Sequence, residues 1–133
     1  MKICIVLSNY YLKISNNLLL GAKSERKKNN INKFKIILVP GTFEIPYVIA
    51  KNIKLYDGFI ALGCVIKGKT PHFEFLSASV FNALLQTSVT YKKPITNGII
   101  TCNNKNHAIL RSSLNKRNKG REAAKALMSL LRL

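Results

Sequence analysis

Residues 58–66 read GFIALGCVI, an unbroken apolar run that ends directly before Lys67-Gly68. A run of this length without alternating polar residues is typical of a strand that is covered on both faces of a sheet. Similar runs occupy residues 2–8, 34–39 and 95–101, and each is followed by residues that favour a helix. Strands that alternate with helices predict an α/β fold, in which a four-stranded parallel sheet lies inside a three-layer αβα sandwich.

The helix signals lie between these runs. We expect Ser15 to cap a helix that runs to about Lys28, and Thr42 to cap another with Pro46 in its first turn. Thr70-Pro71 is expected to start a long helix that ends near Tyr91, and two shorter helices are expected at 104–113 and 119–132. The pattern contains no repeat and no linker, so residues 1–133 are predicted to form one doubly wound, flavodoxin-like domain.

The charge of the chain is unusual, because 22 Lys and Arg stand against 5 Asp and Glu, which gives a formal net charge of +17. Such a charge is typical of nucleic-acid-binding modules. The basic residues are nevertheless dispersed along the sequence, and the densest run, Lys23–Lys28, has no aromatic residues interleaved for base stacking. We therefore expect no nucleic-acid partner, although a basic nucleic-acid-binding module stays an alternative.

Three cysteines, Cys4, Cys64 and Cys102, lie inside apolar runs and show no CxxC spacing. This pattern argues against a disulfide framework or a zinc site, and it favours a reducing compartment. No signal peptide and no membrane-length apolar run is recognisable. The sequence predicts a cytoplasmic protein without a membrane partner or a bound metal.

In parallel α/β sheets, ligands bind beyond the carboxyl ends of the strands. Gly68–His72 follows the run at 58–66, and the start of a helix there would favour an anion such as phosphate. His72 is suited to proton transfer near neutral pH. Glu44 follows the run at 34–39, where it could accept hydrogen bonds from ligand hydroxyls, and Arg111 could clamp a phosphate.

Residues 63–70, GCVIKGKT, match the phosphate-loop pattern G-x-x-x-x-G-K-[ST] letter for letter. In that motif the middle residues form a loop around phosphates, whereas 64–66 are here predicted to end a strand. We therefore expect no nucleotide site of this kind, although a P-loop-like nucleotide-binding protein stays an alternative reading.

The loops together resemble those of the lumazine synthase family. VPGTFEIP (39–46) resembles that family's VPGAFEIP signature, and ALGCVIKGKTPHFEFLS (61–77) resembles its ALG-x-VI-[RK]-G-x-T-x-H segment. PITNGIIT (94–101) and the turn at 118–120 match in order and spacing. The resemblance covers essentially the whole chain.

The resemblance implies an enzyme of riboflavin biosynthesis. Its members condense 5-amino-6-(D-ribitylamino)uracil with 3,4-dihydroxy-2-butanone 4-phosphate to give 6,7-dimethyl-8-ribityllumazine, phosphate and water. They use no cofactor and no metal. They form pentamers, in many bacteria twelve pentamers as a 60-subunit capsid, and their product passes to riboflavin synthase.

The resemblance also implies a role for each matching residue. His72 would transfer protons, Tyr10 would stack on the pyrimidine, and Glu44 would accept from the ribityl hydroxyls. Thr42, Phe43, Cys64, Val65, Ile66 and Asn97 would complete the pyrimidine and ribityl site. Lys69, Thr70, Arg111 and Lys119 would bind phosphate, with Asn97 and Arg111 reaching the site of a neighbouring subunit.

The sequence departs from the family pattern at three places. Tyr10-Tyr11 replaces a common Phe-Asn pair, and a tyrosine can still stack on a ring. Asn97 replaces a frequent phenylalanine, which puts the aromatic contact from the neighbouring subunit in doubt. The sequence begins directly at its first strand, without the arm that in many members extends a neighbour's sheet.

Overall fold

The computed structural model describes residues 1–68 and 72–133. Strands and helices alternate along the chain, as predicted. The elements are β1 (Lys2–Ser8), α1 (Leu12–Lys28), β2 (Lys33–Val39), a 3-10 turn (Thr42–Glu44), α2 (Ile45–Lys51), β3 (Gly58–Ile66), α3 (His72–Tyr91), β4 (Ile95–Cys102), α4 (Lys105–Arg111) and α5 (Lys119–Leu131).

Within those ranges the four strands form one parallel sheet in the order β2-β1-β3-β4. β1 and β3 occupy the centre, so that Ile5 of β1 pairs with Ile36 on one side and Ile60 on the other. The apolar runs of both central strands are buried, which confirms the expectation for a doubly covered strand. In this strand order the crevice for ligands opens between the carboxyl ends of β1 and β3.

The helices cover the sheet in two layers. One apolar cluster joins α1, α4 and α5 to one face of the sheet, through residues such as Leu18, Ala108 and Leu127. A second cluster joins α2 and α3 to the other face, through residues such as Ile49 and Leu84. The predicted three-layer αβα sandwich is confirmed. In the part of the chain that the structure describes, no helix is long and apolar enough to cross a membrane.

The expectation that Ser15 caps the first helix is wrong. α1 begins three residues earlier, at Leu12, and the backbone N–H of Ser15 already donates to the Tyr11 carbonyl inside the helix (2.9 Å). The buried Ser15 hydroxyl donates instead to the carbonyl of Ser8, the last residue of β1, at 2.6 Å. Ser15 therefore satisfies a polar group at the end of the central strand, which sequence spacing does not reveal.

The expectation that Thr42 caps the second helix is also wrong, because α2 begins only at Ile45. Thr42 is the first residue of the 3-10 turn, whose N-cap is Gly41, and the N-cap of α2 is Glu44. It is buried, and its methyl group lies so close to Gly63 of β3 that a Cβ there would be 2.8 Å from it. Packing against the central strand thus decides the role of Thr42. Pro46 does lie in the first turn of α2, as predicted.

The last two helices are capped by asparagines. The Asn104 side chain accepts from the His107 N–H, and the Asn118 side chain accepts from the Arg121 N–H. α4 ends at Arg111, two residues before its predicted end, and the Ser112 hydroxyl bonds back to the Ala108 carbonyl at 2.9 Å. The predicted helix start at Thr70-Pro71 lies outside the described residues.

Candidate functional site

A pocket of about 300 Å³ opens at the carboxyl ends of β1 and β3, where the strand order predicts a ligand crevice. The end of β1, the turn after β2, the end of β3 and one residue of α3 form its walls. The lining residues are Ser8, Tyr10, Tyr11, Gly41, Thr42, Phe43, Glu44, Cys64, Val65, Ile66 and Leu76. We call this cavity the ring pocket.

The ring pocket brings together seven of the residues that the sequence assigned to a pyrimidine and ribityl site: Tyr10, Thr42, Phe43, Glu44, Cys64, Val65 and Ile66. The Glu44 carboxylate lies close to Gly41, where a Cβ would be 3.1 Å from its Oε1. A glycine at this position therefore leaves room for the carboxylate at the pocket wall.

Two tyrosines form one wall of the ring pocket. Tyr10 is 73% exposed, whereas Tyr11 is half-buried against the core. Their rings meet edge to face, with centroids 5.0 Å apart and planes at 76°. Burial raises the pKa of the Tyr11 hydroxyl, and the nearby Cys64, Tyr10 and Cys102 raise it further. Tyr10 is thus an exposed aromatic platform held by a neutral neighbour. Sequence reasoning did not assign Tyr11 to the site, although it follows Tyr10 directly.

His72 is the first residue of α3 and is exposed. Leu76, which lines the ring pocket, lies four residues further along the same helix. Residues four apart share one face of a helix, so His72 lies one turn from the pocket on the pocket side. Lys69 and Thr70, which the sequence assigns to phosphate, lie outside the described residues.

A second, polar pocket of about 200 Å³ is lined by Arg111, Arg117, Lys119 and Glu122. Arg111 ends α4, and its Nη1 donates to the Thr101 carbonyl of β4 at 3.0 Å. Lys119 begins α5. Arg111 and Lys119, two of the residues predicted to bind phosphate, therefore line the same pocket. We call this cavity the cationic pocket.

A larger cavity of about 400 Å³ lies at the opposite end of the strands, near the starts of β1 and β2. It is lined by the residues between α1 and β2, by Met1 and by the end of α5. None of the predicted site residues line it. In residues 1–68 and 72–133, no three His, Cys, Asp or Glu side chains are arranged to hold a metal ion.

The family model described as 6,7-dimethyl-8-ribityllumazine synthase matches residues 1–133. The chain belongs to the 6,7-dimethyl-8-ribityllumazine synthase family. It is 41% identical to the synthase of Bartonella bacilliformis, in an alignment that covers 97% of this chain and 87% of that protein. It is 40% identical to the synthase of Afipia carboxidovorans, with 99% and 85% covered. A synthase of Nitratiruptor is 35% identical, with 99% and 88% covered.

Membership of the lumazine synthase family removes the phosphate-loop reading of residues 63–70. β3 continues to Ile66, so Cys64, Val65 and Ile66 are strand residues rather than a loop that wraps around phosphates. The prediction that residues 64–66 end a strand is therefore confirmed. The alternative of a nucleotide-binding or nucleic-acid-binding module receives no support from the family comparison.

Cys64 lines the ring pocket as a neutral thiol. Burial, and then the neighbouring Cys102, raise the pKa of Cys64 to about 12. The Cys102 thiol donates to the Asn104 carbonyl at 3.2 Å, and both cysteines are buried and free. A thiol with this pKa carries almost no thiolate near neutral pH, so Cys64 contributes shape and a weak donor rather than a nucleophile.

Asn97 does not join the other predicted site residues. It lies within the edge strand β4, paired with Ala61, and its Oδ1 accepts from the Ile99 N–H at 2.9 Å. Its side chain is exposed and does not line the ring pocket or the cationic pocket.

Proposed function

We propose that this chain condenses 5-amino-6-(D-ribitylamino)uracil with 3,4-dihydroxy-2-butanone 4-phosphate to give 6,7-dimethyl-8-ribityllumazine, phosphate and water. Family membership supports the reaction. The observation in the fold that carries the proposal is the ring pocket, where Tyr10, Phe43 and Glu44 converge on the carboxyl end of β3. Residues 1–133 act as one catalytic domain.

The pyrimidine is proposed to bind in the ring pocket. Tyr10 provides an exposed aromatic face for stacking, and the end of β3 provides backbone groups at the edge of the ring. Glu44 accepts hydrogen bonds from the ribityl hydroxyls. Thr42 and Phe43 complete this side of the site, and Cys64, Val65 and Ile66 form its floor.

The chemistry consists mainly of positioning and proton transfer. The 5-amino nitrogen attacks the ketone carbon, and an imine forms with loss of one water. Phosphate then leaves by elimination, and the resulting enol becomes a ketone. The ribitylamino nitrogen attacks that ketone and closes the ring with loss of a second water. His72 accepts and returns protons in these steps. Holding two substrates in reacting geometry can supply roughly 7–11 kcal/mol, and one acid–base group adds about a hundredfold or more. The steps need no cofactor or metal.

Phosphate is proposed to contact cations from two chains. The resemblance assigns Lys69 and Thr70 to the phosphate at the start of α3. Arg111 and Lys119 line the cationic pocket, which shares no lining residue with the ring pocket of the same chain. This separation supports a site that combines the ring pocket of one subunit with the cationic pocket of its neighbour.

The surface of α3 supports a homo-oligomer. Phe75, Leu85 and Val89 on α3 are 68%, 64% and 66% exposed. α3 contains no Lys or Arg, although the chain carries a net charge of +17. A contact through this helix would bury apolar surface without bringing cations of two copies together. We propose pentamers built through this face, which could assemble further as twelve pentamers.

The reaction is tested by incubating the purified protein with both substrates and following the fluorescence of the product. We expect product formation that depends on both substrates and is unchanged by a metal chelator. Each substrate alone is the control. Absence of product under these conditions would contradict the proposed reaction. In the cell, the product would pass to riboflavin synthase in the cytoplasm.

The oligomer is tested by substituting Leu85→Glu on α3 and measuring mass by sedimentation velocity. We expect smaller species, because the substitution places a charge in the proposed contact. Leu130→Glu is the matched control, since Leu130 is an exposed leucine (46%) on α5. Equal masses for both variants and the unsubstituted protein would argue against α3 as the contact.

The shared site is tested by mixing subunits. At keto-phosphate concentrations well below the raised KM of Arg111→Ala, the His72→Ala and Arg111→Ala proteins are each expected to have little activity. If they exchange at random, about a quarter of the interfaces receive His72 from one chain and Arg111 from the other, so about a quarter of the activity returns. Native mass spectrometry verifies that mixed oligomers form. No recovery in such oligomers would mean that each chain builds its own complete site.

A further inference from the structure

The cationic pocket contains two residues that the proposed reaction does not use, Arg117 and Glu122. We propose that Arg117 is a third phosphate-binding cation beside Arg111 and Lys119, and that Glu122 positions it. The inference rests on the proposed function, since it names a further residue of the same phosphate site. The ligand class is a phosphate monoester, or the inorganic phosphate that the reaction releases.

The geometry of the ion pair leaves Arg117 able to bind an anion. Arg117 Nε lies 2.8 Å from Glu122 Oε1, and this contact uses the inner nitrogen of the guanidinium. This contact involves neither of the two terminal nitrogens. A guanidinium that presents two such donors matches the spacing of two phosphate oxygens. Arg111 is held in a comparable way, through one nitrogen on the Thr101 carbonyl.

The loop that carries Arg117 is fixed on both sides. Asn118, which follows it, is 1% exposed, and its amide donates to the carbonyls of Asn17 (3.1 Å) and Ser112 (3.0 Å). Arg121 donates to the carbonyls of Leu114 (3.0 Å) and Lys116 (3.3 Å), which precede Arg117. Buried and loop-spanning hydrogen bonds therefore hold the backbone on both sides of Arg117. This restricts the positions that its side chain can reach.

The charge balance of the pocket favours a dianion. Three cations surround one carboxylate, so the pocket keeps two net positive charges after the Arg117–Glu122 pair is formed. The pair is exposed, with side-chain exposures of 70% and 40%, and exposed ion pairs add little to stability. The ion pair therefore contributes little to the stability of the fold. Its proposed role is to orient the Arg117 guanidinium toward the pocket.

The test compares Arg117→Ala and Arg117→Lys with Lys125→Ala, which removes an exposed cation from α5 outside the pocket. For Arg117→Ala we expect the KM for the keto-phosphate and the inhibition constant for inorganic phosphate to rise about threefold to tenfold. Arg117→Lys should retain part of the affinity. The KM for the pyrimidine and kcat should stay close to their original values. Lys125→Ala should behave like the unsubstituted protein.

Positioning by Glu122 is tested by Glu122→Ala in two backgrounds. With Arg117 present, the substitution should weaken phosphate binding, because the guanidinium loses its partner. With Arg117→Ala, the same substitution should not weaken binding, since it only removes a negative charge. Equal weakening in both backgrounds would remove the positioning role from Glu122.

Calorimetric titration of the intact oligomer with inorganic phosphate separates this inference from the proposed reaction. The titration needs no turnover, so it reads the role of Arg117 even if the protein forms no product. Weaker phosphate binding by Arg117→Ala than by Lys125→Ala would support the inference. Equal binding by these two variants, or an equal rise in the KM of both substrates, would overturn it.

Discussion

The ring pocket and the cationic pocket are built by different means. The ring pocket is formed by the ends of two central strands and the turn after a third, and Glu44 is the charged residue among its described walls. The cationic pocket is formed by helix ends and a loop, and all four of its lining side chains carry a charge. The sheet fixes the first pocket, while hydrogen bonds of a loop fix the second. Substitutions in the ring pocket should therefore change the KM for the pyrimidine, and substitutions in the cationic pocket should change the KM for the keto-phosphate.

The largest expected effect is the loss of turnover when His72, the proposed acid–base residue, is replaced. His72→Ala should lower kcat about tenfold to a thousandfold, because proton transfer loses its acid–base group. The thermal midpoint should stay unchanged, since the side chain is exposed. Steady-state kinetics and thermal denaturation measure both quantities. His107→Ala, an exposed histidine on α4, is the matched control, and a rate as high as that of the control would remove His72 from the mechanism.

Arg111→Ala should give the next largest effect, and it should be confined to one substrate. We expect the KM for the keto-phosphate to rise about tenfold to a hundredfold, because a charge-assisted contact to phosphate is lost. The KM for the pyrimidine should change little. Lys105→Ala, an exposed cation at the start of the same helix, controls for net charge. A parallel rise in both KM values would show that Arg111 does not act on the keto-phosphate alone.

Tyr10→Leu should show the opposite selectivity with a smaller effect. Loss of the aromatic face should raise the KM for the pyrimidine about threefold to tenfold and leave that for the keto-phosphate unchanged. Tyr47→Leu is a suitable control, because Tyr47 is a similarly exposed tyrosine (69%) that does not line the ring pocket. If both tyrosines behave alike, stacking on Tyr10 is not a source of affinity.

The smallest effect concerns pH and the thiol in the floor of the ring pocket. Below about pH 9, Cys64 is protonated in both the folded and the unfolded chain. Between pH 9 and about 12 only the unfolded thiol ionises, because the folded pKa of Cys64 is raised to about 12. The free energy of unfolding should therefore fall with rising pH, by roughly 1.4 kcal/mol per unit for this one thiol.

Urea denaturation at several pH values and fixed protein concentration measures this slope. Above pH 9, the free energy of unfolding of Cys64→Ala should fall less steeply with pH than that of the unsubstituted protein. Cys4→Ala offers a second comparison, since burial raises the pKa of Cys4 to about 11. An unchanged slope in both variants would show that these thiols ionise in the folded protein as they do in the unfolded chain.

The sequence predicts those features of the fold that follow from continuous patterns. The boundaries of β3 are predicted correctly, because an apolar run covered on both faces ends where polar residues begin. Glu44 is placed at this end of the sheet because it follows a strand that ends there, whereas Cys64, Val65 and Ile66 lie inside β3 and were assigned to the site by the family resemblance. The helix-cap roles predicted for Ser15 and Thr42 are wrong, because these side chains contact Ser8 and Gly63 of the central strands instead.

The parts of the site that sequence reasoning missed depend on contacts across the fold. Tyr11 looks like any residue after a strand until its burial and its contact with Tyr10 are known. Arg117 and Glu122 look like solvated charges until the loop brings them beside Arg111 and Lys119. Pairs of this kind carry no periodic signal, so a single sequence does not reveal them.

Asn118 also constrains the order in which the protein can acquire its parts during synthesis. Its amide reaches the Asn17 carbonyl across 101 positions of the chain, and the neighbouring Gly120 lies so close to the backbone of Leu18 that a Cβ would overlap it. A nascent chain that ends before residue 118 lacks both contacts, although β1, β2 and β3 are already complete. Translation therefore completes the three strands whose ends frame the ring pocket well before it reaches Asn118. A chain truncated before residue 118 lacks the hydrogen bonds that hold the loop of the cationic pocket.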